Sequence, residues 1–426
     1  MNLIKKVKSS QFLVDSIYSL FGSAISKGLA LLAGVFIARW LGKDIFGEFG
    51  IIKNTLVSFT ILSTLGLGYT STKFVANNLK SNNLKSIVNQ VIFFTIIFST
   101  LIGGLLFVFS DYVAINILNS KSLEKHIQVL SVIIVVNAIN NTQIGVIAGL
   151  GKFKELAKIN IVLGIITFII TIGLTYFYML SGAIYSLLVI SILNVLINYI
   201  FINKKLNELK VYSESTNKLK TSTILKISFP VAMQEATYSL SSWISTLLVV
   251  NFYSYSVLGM YNAAIQWNAV ILIIPAILRN VILSHLSKNN SDKDQYNKIL
   301  KQTILINLIC TIIPCFIVCF SSNYIEEMYG ETYQGLSYLI SIGVFLSVIL
   351  GISNVYTQAY MSQNRNWEMF FIRLLREVSI PICFYLFYIQ NYSNGAMAML
   401  ISCFIINLFF LIIIIFMYKK LNKNYV

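Results

Sequence analysis

Five positively charged side chains lie inside segments that are otherwise long and apolar, and they are the residues whose chemistry stands out. They are Lys27, Lys53, Arg279, Arg373 and Arg376. A charge in a hydrocarbon layer costs from about 2.5 to more than 10 kcal/mol, so each one needs a partner, a wet cavity or access to the headgroups. Cations that line a wet cavity attract anions such as phosphates. We predict that these five residues contribute to a substrate-binding site for an anionic ligand.

The depth of each cation decides how readily it reaches water. Lys27 lies near the middle of its segment, on one helical face with Ser23 and Gly34, too far from either end to reach the headgroups easily. It therefore contacts a ligand or forms a buried ion pair. Arg279 and Arg373 lie within two turns of a segment end, where a long side chain reaches the headgroups at little cost. Ligand contact and headgroup contact both stay open for these two arginines.

Two more cations complete the set. Arg376 shares a helical face with Arg373 and Glu377 at spacings of three and four residues, which lets Glu377 screen one arginine while the other stays free. Arg376 is the deeper arginine and the better candidate for ligand contact. Lys53 stands two to three turns inside its segment and carries less weight.

Glu235 is a carboxylate deep in an apolar segment, where it could bind a proton or another coupling ion. It lies about nine residues from the segment start, and at about 1.5 Å per residue it approaches the middle of the layer. Four small polar residues share its face: Ser228, Ser239, Ser242 and Thr246. Such a stripe lines a water-filled cavity or joins helices by hydrogen bonds, and the sequence does not decide between these interpretations.

Two further polar faces have the same helical periodicity. They could contact sugars, although hydrogen bonding between helices is the commoner use of such residues in membranes. One contains Asn137, Asn140 and Asn141, and the other contains Ser191, Asn194 and Asn198.

Other kinds of site find no support in the sequence. The two histidines, His126 and His285, have no clustered carboxylates nearby, and all five cysteines lie in apolar runs. We expect no metal, no disulfide, no cofactor and no catalytic triad. The net charge of +16 is spread over many short loops and forms no basic stripe, so nucleic-acid binding is not expected.

The elements that position these residues are membrane-spanning helices. The chain is 57% hydrophobic and only 11% charged, and an apolar segment of about 20 residues spans a hydrocarbon layer of about 30 Å. We predict an all-α polytopic membrane protein with twelve spans in two six-helix bundles, at 1–203 and 224–426, joined by a cytoplasmic linker at 204–223. The twelve spans are 12–38, 45–70, 87–109, 127–150, 156–178, 180–203, 226–252, 258–283, 300–320, 335–361, 366–388 and 394–418.

The distribution of lysine and arginine predicts the orientation. Alternate loops and both termini hold 23 of the 32 basic residues, whereas the opposite loops hold only Arg39, Lys43, Lys121 and Lys125. Basic loops stay in the cytoplasm, so both termini are predicted to be cytoplasmic.

A weak internal repeat relates the two predicted bundles. A shift of 212 residues aligns Phe-Gly-Glu-Phe at 46–49 with Leu-Gly-Met-Tyr at 258–261, and Asn54 with Gln266. A shift of 215 aligns Thr-Gln at 142–143 with Thr-Gln at 357–358. Transporters are often built from two related bundles with a site between them.

Several motifs resemble one family of membrane proteins. Residues 38–49 read Ala-Arg-Trp-Leu-Gly-Lys-Asp-Ile-Phe-Gly-Glu-Phe, and Leu-Gly-Leu-Gly follows at 65–68, Lys-Phe-Val-Ala at 73–76 and Val-Leu-Gly-Met-Tyr-Asn-Ala-Ala at 257–264. This pattern is similar to that of the polysaccharide-exporter branch of the multidrug/oligosaccharidyl-lipid/polysaccharide (MOP) superfamily. Members often carry an acidic residue near the position of Ser242-Trp243-Ile244, and the nearest carboxylate in this segment is Glu235.

The resemblance implies a bacterial O-antigen-type flippase of the inner membrane. Such a protein moves an undecaprenyl-pyrophosphate-linked oligosaccharide across the membrane by alternating access, and Glu235 is then the candidate ion-coupling residue. Its expected partners are this lipid-linked substrate, membrane lipid, and the polysaccharide polymerase and chain-length machinery of the host.

Two alternatives belong to other functional classes. A cation-coupled multidrug antiporter would need deep acidic residues for drug and ion, and the sequence offers Glu235 alone at depth. A polysaccharide polymerase or ligase would need external catalytic residues, and the longest predicted external loops, 110–126 and 321–335, are too short to build such a site.

Overall fold

The computed structural model describes residues 11–79, 83–208, 221–288, 292–363 and 365–423, and these residues are almost wholly helical. Short helical turns at Ser110–Tyr112, Val113–Ile117, Lys121–Leu123 and Glu331–Tyr333 connect some of the longer helices. The longer helices are α1 (Gln11–Thr64), α2 (Leu67–Asn77), α3 (Leu84–Val108), α4 (Glu124–Gly149), α5 (Phe153–Glu208), α6 (Thr221–Phe252), α7 (Tyr255–Ile271), α8 (Ile273–Lys288), α9 (Lys293–Phe320), α10 (Ser322–Tyr329), α11 (Leu336–Ser362), α12 (Asn366–Ile389) and α13 (Gly395–Lys423).

Two helices, α1 and α5, are long enough for two membrane crossings, and each contains one non-helical residue. In α1 this residue is Gly42 (φ 70°), and in α5 it is Met179 (φ 50°). After Met179 the chain turns back on itself. Gly182 lies beside Leu174, so close that a methyl group at Gly182 would overlap the Leu174 carbonyl. The predicted breaks between the first two spans and between the fifth and sixth fall at these residues.

Two other predicted spans, 45–70 and 258–283, are each divided by a short interruption. Leu65 and Gly66 both have positive φ angles, 45° and 73°, so α1 ends before them and α2 begins after them. The second interruption is at Leu272, between α7 and α8, and Pro275 lies in the first turn of α8. Proline is tolerated in the first turn because no intrahelical acceptor is available to its position there.

Exposed apolar side chains show that lipid surrounds these helices. Seven helices in the described part of the chain are long and apolar enough to cross a membrane. Large side chains at their ends are exposed, including Phe177 (75%) and Phe320 (83%), and tyrosines such as Tyr176 and Tyr178 lie beside them. Aromatic residues are enriched at membrane surfaces, where one end of the ring is wet and the other is in lipid. The prediction of an all-α polytopic membrane protein is confirmed, whereas the count of twelve spans stays a prediction.

The chain groups into two compact units, each with its own apolar core. Unit 1 comprises the described residues of Met1–Ala33 and Glu48–Trp243, and unit 2 comprises Gly34–Gly47 and the described residues of Ile244–Val426. One core cluster of unit 1 is Val75, Leu84, Val88, Val146, Ile147, Leu150, Ile202 and Leu206. The core of unit 2 includes Leu286, Val355, Ala359, Tyr360 and Ile414. The predicted division at 203 and 224 stays a prediction, and most of its linker, 209–220, lies outside the described residues.

Candidate functional site

Lys27 lies on α1, in the part of this helix that belongs to unit 1. Small residues hold this part against α5, since Gly22 has no room for a methyl group beside Ala157, and Gly164 little room beside Ser26. Lys27 lies next to this contact face rather than on it, and its side chain is exposed. Among the described residues it forms no ion pair. Its predicted contact with a ligand stays a prediction, but the alternative of a buried ion pair finds no partner there.

Lys53 lies on α1 beyond the Gly42 bend, also in unit 1. Its side chain is exposed, and within the described ranges it too has no ion-pair partner. The following residues, Asn54 and Thr55, are turned the other way and bond to α6. Lys53 takes no part in these hydrogen bonds.

A seam of hydrogen bonds joins α6 to α1 and α2 within unit 1. Because the neighbouring helix segments run in opposite directions, residues later in α6 meet residues earlier in α1. The bonds are Thr70 Oγ1 to Ser228 Oγ (2.7 Å), Ser58 Oγ to the carbonyl of Ser239 (3.1 Å), Asn54 Nδ2 to the carbonyl of Ser242 (3.2 Å) and Trp243 Nε1 to Thr55 Oγ1 (3.0 Å).

This seam decides how the polar stripe around Glu235 is used. Ser228, Ser239 and Ser242 join helices, which is the second of the two interpretations that the sequence left open. Glu235 is exposed, and in the described part of the chain it forms no ion pair with Lys27 or any other cation. Its role as ion-coupling residue stays a prediction.

The two asparagine-rich faces meet each other between α4 and α5. Ser191 Oγ donates a hydrogen bond to Asn137 Oδ1 (2.9 Å), and Asn198 Nδ2 donates to Asn140 Oδ1 (2.9 Å). Asn194 bonds within its own helix instead, to the carbonyl four residues earlier (2.8 Å). Interhelical bonding, rather than sugar contact, accounts for these two bonded pairs.

Arg376 and Glu377 form a buried ion pair in α12. Arg376 Nη2 and Nε both donate to Glu377 Oε1, at 2.6 and 3.1 Å, and the two side chains are only 9% and 6% exposed. Arg376 is ten residues into the helix, or about 15 Å at about 1.5 Å per residue, which is half of a layer about 30 Å thick. The sequence left open which arginine Glu377 screens, and the structure shows that it pairs with Arg376. Contact of Arg376 with a ligand stays a prediction.

The remaining predicted cations are less informative. Arg373 is half-buried, one turn before Arg376, and makes interactions of its own. The side chain of Arg279 lies outside the described residues. The predicted site residues thus belong to different units, with Lys27, Lys53 and Glu235 in unit 1 and both described arginines in unit 2.

Unit 2 contains a cleft that the sequence analysis missed. Its volume is about 290 Å³, and its polar lining comes from four chain segments. The lining residues that carry polar side chains are Lys43, Ser256, Gln334, Ser393 and Asn394. Lys43 entered the sequence-based prediction only as one of the external basic residues. Lysines are scarce on the predicted external side, so the position of Lys43 there could have indicated a binding residue.

Beside this cleft α1 and α7 cross in backbone contact. A methyl group at Gly47 would overlap the carbonyl oxygen of Tyr255, and a methyl group at Gly259 would overlap that of Lys43. The two glycines are 212 residues apart, and so are Lys43 and Tyr255. The contact of Gly47 with Tyr255 is therefore repeated by the equivalent residues, Gly259 and Lys43, with the two helices exchanged. A contact about a twofold axis has this property. This symmetry supports the weak repeat seen in the sequence.

Comparisons with known proteins point to one class. The model of a family described as polysaccharide biosynthesis protein matches residues 36–306. A Shigella flexneri protein named "Putative O-antigen transporter" is 22% identical over 348 residues, which is 79% of this chain and 82% of that protein.

Several solved structures of transporters share this fold. An inward-facing multidrug resistance MATE family transporter of the MOP superfamily matches with a TM-score of 0.76 at 12% identity, over 96% of this chain and 100% of that chain. A MOP superfamily transporter from Pyrococcus furiosus, described as having a binding pocket of reverse polarity that suggests a different function, matches with a TM-score of 0.65 at 13% identity, over 96% of this chain and 95% of that chain.

Proposed function

The chain belongs to the polysaccharide biosynthesis protein family, and on that premise we propose that it transports a lipid-linked oligosaccharide across the bacterial inner membrane. It is a membrane transporter with the fold of the MOP superfamily, and not an enzyme. The proposed cargo is an undecaprenyl-pyrophosphate-linked repeat unit of O-antigen or a related polysaccharide. The name of the Shigella relative supports this class of cargo.

One observation carries the choice of an anionic cargo. Lys27 and Lys53 are exposed lysines within apolar helices, and neither is neutralised by a described carboxylate. An unpaired ammonium at such depth is costly unless it meets water or an anion. A pyrophosphate is a strong acceptor for charge-assisted hydrogen bonds, so it suits this pair of cations.

Transport would proceed by alternating access. The pyrophosphate head group would bind from the cytoplasm and leave on the opposite side, while the prenyl chain stays in lipid. Glu235 is the proposed residue for coupling to an ion, because its carboxylate is exposed and without an ion-pair partner among the described residues.

Deletion of the gene in its host tests the function. We expect surface polysaccharide to disappear and lipid-linked repeat units to accumulate on the cytoplasmic face, with recovery from a plasmid copy. Labelled lipid-linked intermediates in right-side-out and inverted vesicles measure the sidedness. Normal surface polysaccharide together with a changed tolerance to cationic drugs would favour the antiporter alternative.

A further inference from the structure

The cleft in unit 2 is lined by none of the intramembrane cations whose side chains are described. We propose that it binds an acidic sugar of the transported glycan on the external side of the membrane. This inference rests on the proposed function for its cargo and on the predicted topology for its side. The residues of the cleft alone support its chemistry.

Four chain segments build the cleft. Lys43 comes from the bend of α1, Ser256 from the start of α7, Gln334 from the connection before α11, and Ser393 and Asn394 from the connection before α13. A volume of about 290 Å³ lies at the lower end of the range for ligand pockets, about 300–1,000 Å³, and suits one sugar ring.

Packing contacts fix the backbone around Lys43, so its side chain starts from a defined position beside the cleft. Lys43 contributes its carbonyl to the close crossing with Gly259, one residue before Met260, which also lines the cleft. Three residues later Phe46 packs edge-on against Tyr333, with ring centroids 6.4 Å apart. A site built on packed elements keeps its geometry better than a site on a free loop.

The opposite wall is fixed by two further contacts. Tyr253 Oη donates a hydrogen bond to the carbonyl of Tyr392 (2.7 Å), and Gly395 leaves no room for a methyl group beside the Tyr253 ring. Asn394 Oδ1 accepts from the backbone N–H of Met397 (3.0 Å) and so caps α13. These contacts attach the connection between α12 and α13 to Tyr253 and to the first turn of α13.

The one charge on the described lining of the cleft favours an anion, but carboxylates stand nearby in the chain, since Asp44 follows Lys43 and Glu331 precedes Gln334 by three residues. Lys43 is the charged residue among those that line it, and it has no ion-pair partner in the described part of the chain. The nearby Glu326 is occupied, since its two oxygens accept the N–H groups of Gly335 (2.9 Å) and Ser337 (2.7 Å). Burial opposes its charge, but these hydrogen bonds prevail and hold the pKa of Glu326 below its usual range.

The uncharged lining residues favour a sugar over a bare anion. Two carboxamides, Gln334 and Asn394, and two hydroxyls, Ser256 and Ser393, can donate and accept hydrogen bonds, as sugar hydroxyls require. Apolar side chains such as Met260 offer a surface to the C–H face of a ring. A carboxylate on the same ring would meet the ammonium of Lys43. An acidic sugar and a phosphate headgroup both carry a negative charge that Lys43 could bind. Only the sugar also offers ring hydroxyls to the uncharged polar side chains, so these hydroxyls distinguish the two ligands.

Binding to the purified full-length chain tests this site, with radiolabelled glucuronate as probe and glucose and inorganic phosphate as competitors at constant ionic strength. We expect glucuronate to bind and Lys43→Gln to weaken it about tenfold or more, because a charge-assisted hydrogen bond is lost. Asn394→Asp should weaken it similarly, since aspartate also caps a helix yet brings a negative charge into the cleft. Lys121→Gln, which removes another external lysine outside the cleft, should leave binding unchanged.

Three results would overturn the proposal. They are absence of glucuronate binding, equal binding by wild type and Lys43→Gln, and displacement by phosphate or glucose as effective as by unlabelled glucuronate. Displacement by phosphate would assign the cleft to lipid headgroups instead. Failure of the proposed function is a separate result, because it would show in the deletion strain as normal surface polysaccharide, whatever the purified protein binds.

Discussion

Lys27 has the properties of a ligand-binding cation, because it is exposed within an apolar helix and unpaired among the described residues. We expect Lys27→Ala to leave the amount of protein in the membrane unchanged, since no partner carboxylate is stranded, and to reduce export about tenfold or more. Lys27→Arg should retain part of the export, because it keeps the charge but changes the geometry. Immunoblots of membranes and quantified surface polysaccharide in a deletion strain measure both.

Two further variants make the Lys27 result specific. Lys205→Ala removes a lysine whose ion pair with Glu208 lies at the exposed end of α5, and it should export normally. The double variant Lys27→Ala/Glu235→Ala should stay inactive if Lys27 binds cargo. An active double variant at normal abundance would show that Lys27 and Glu235 serve only to neutralise each other.

Arg376 and Glu377 should behave in the opposite way. Arg376→Met or Glu377→Leu alone breaks a buried ion pair, which costs about 3–5 kcal/mol, so membrane abundance and melting temperature should fall. The double variant removes both charges and should recover abundance. Fluorescence-detected gel filtration and thermal melting of the solubilised protein measure this. Normal abundance of either single variant would contradict a structural role for the pair.

Helical periodicity predicted which side chains share a face, but it did not predict which residues they bond to. The spacing of Arg373, Arg376 and Glu377 suggested pairing across a turn, yet Arg376 pairs with its immediate neighbour. Two long side chains on adjacent residues can meet although their Cβ atoms point apart, and helical periodicity does not describe this. Likewise, the serines around Glu235 needed the positions of α1 and α2 before they could be assigned to helix contacts.

Among the helices, the crossing of α1 and α7 is the contact most sensitive to a small change. Gly47→Ala or Gly259→Ala would place a methyl group against a backbone carbonyl, which cannot move without its helix, so the loss should reach or exceed the 1–3 kcal/mol of ordinary overpacking. Thermal melting of solubilised protein gives the measure. Gly104→Ala on α3 is the matched control, because open space surrounds that position, and it should be neutral or slightly stabilising. Equal melting of Gly47→Ala and Gly104→Ala would mean that the helices do not touch.

Hydropathy predicted where helices lie better than where they stop. The predicted end of α12 at 388 is one residue from Ile389, whereas the predicted spans 45–70 and 258–283 contain breaks at Leu65–Gly66 and Leu272. Both breaks lie within apolar sequence, so a hydropathy average passes over them. Gly66 and Pro275 were local signals, since glycine permits a positive φ and proline favours the first turn of a helix.

At the scale of the whole molecule, composition and motif order were sufficient for the class of protein. The apolar spans predicted an all-α membrane protein, and the motifs at 38–49 and 257–264 indicated the family that the comparisons then found. The motifs also have a structural use, because Gly47 and Gly259 belong to them and form the symmetric crossing. The assignment of Gly34–Gly47 to unit 2 could not be predicted, because it depends on contacts with residues more than 200 positions away.

The topology of the chain gives the last prediction, and it depends on how α5 crosses the membrane. Its 56 residues would extend about 84 Å as one straight helix, far more than a layer of about 30 Å, and the reversal at Met179 divides them into two arms. Two arms return the chain to the side where it started. Reporters fused after Lys152, Lys210 and Lys420 should therefore all report cytoplasm, in agreement with the lysine-rich loops, and one fused after Lys121 should report the exterior. Alkaline phosphatase and green fluorescent protein fusions give complementary signals for each site. An external signal after Lys210 with a cytoplasmic one after Lys152 would mean that α5 crosses only once, and would reverse the predicted orientation of every later helix.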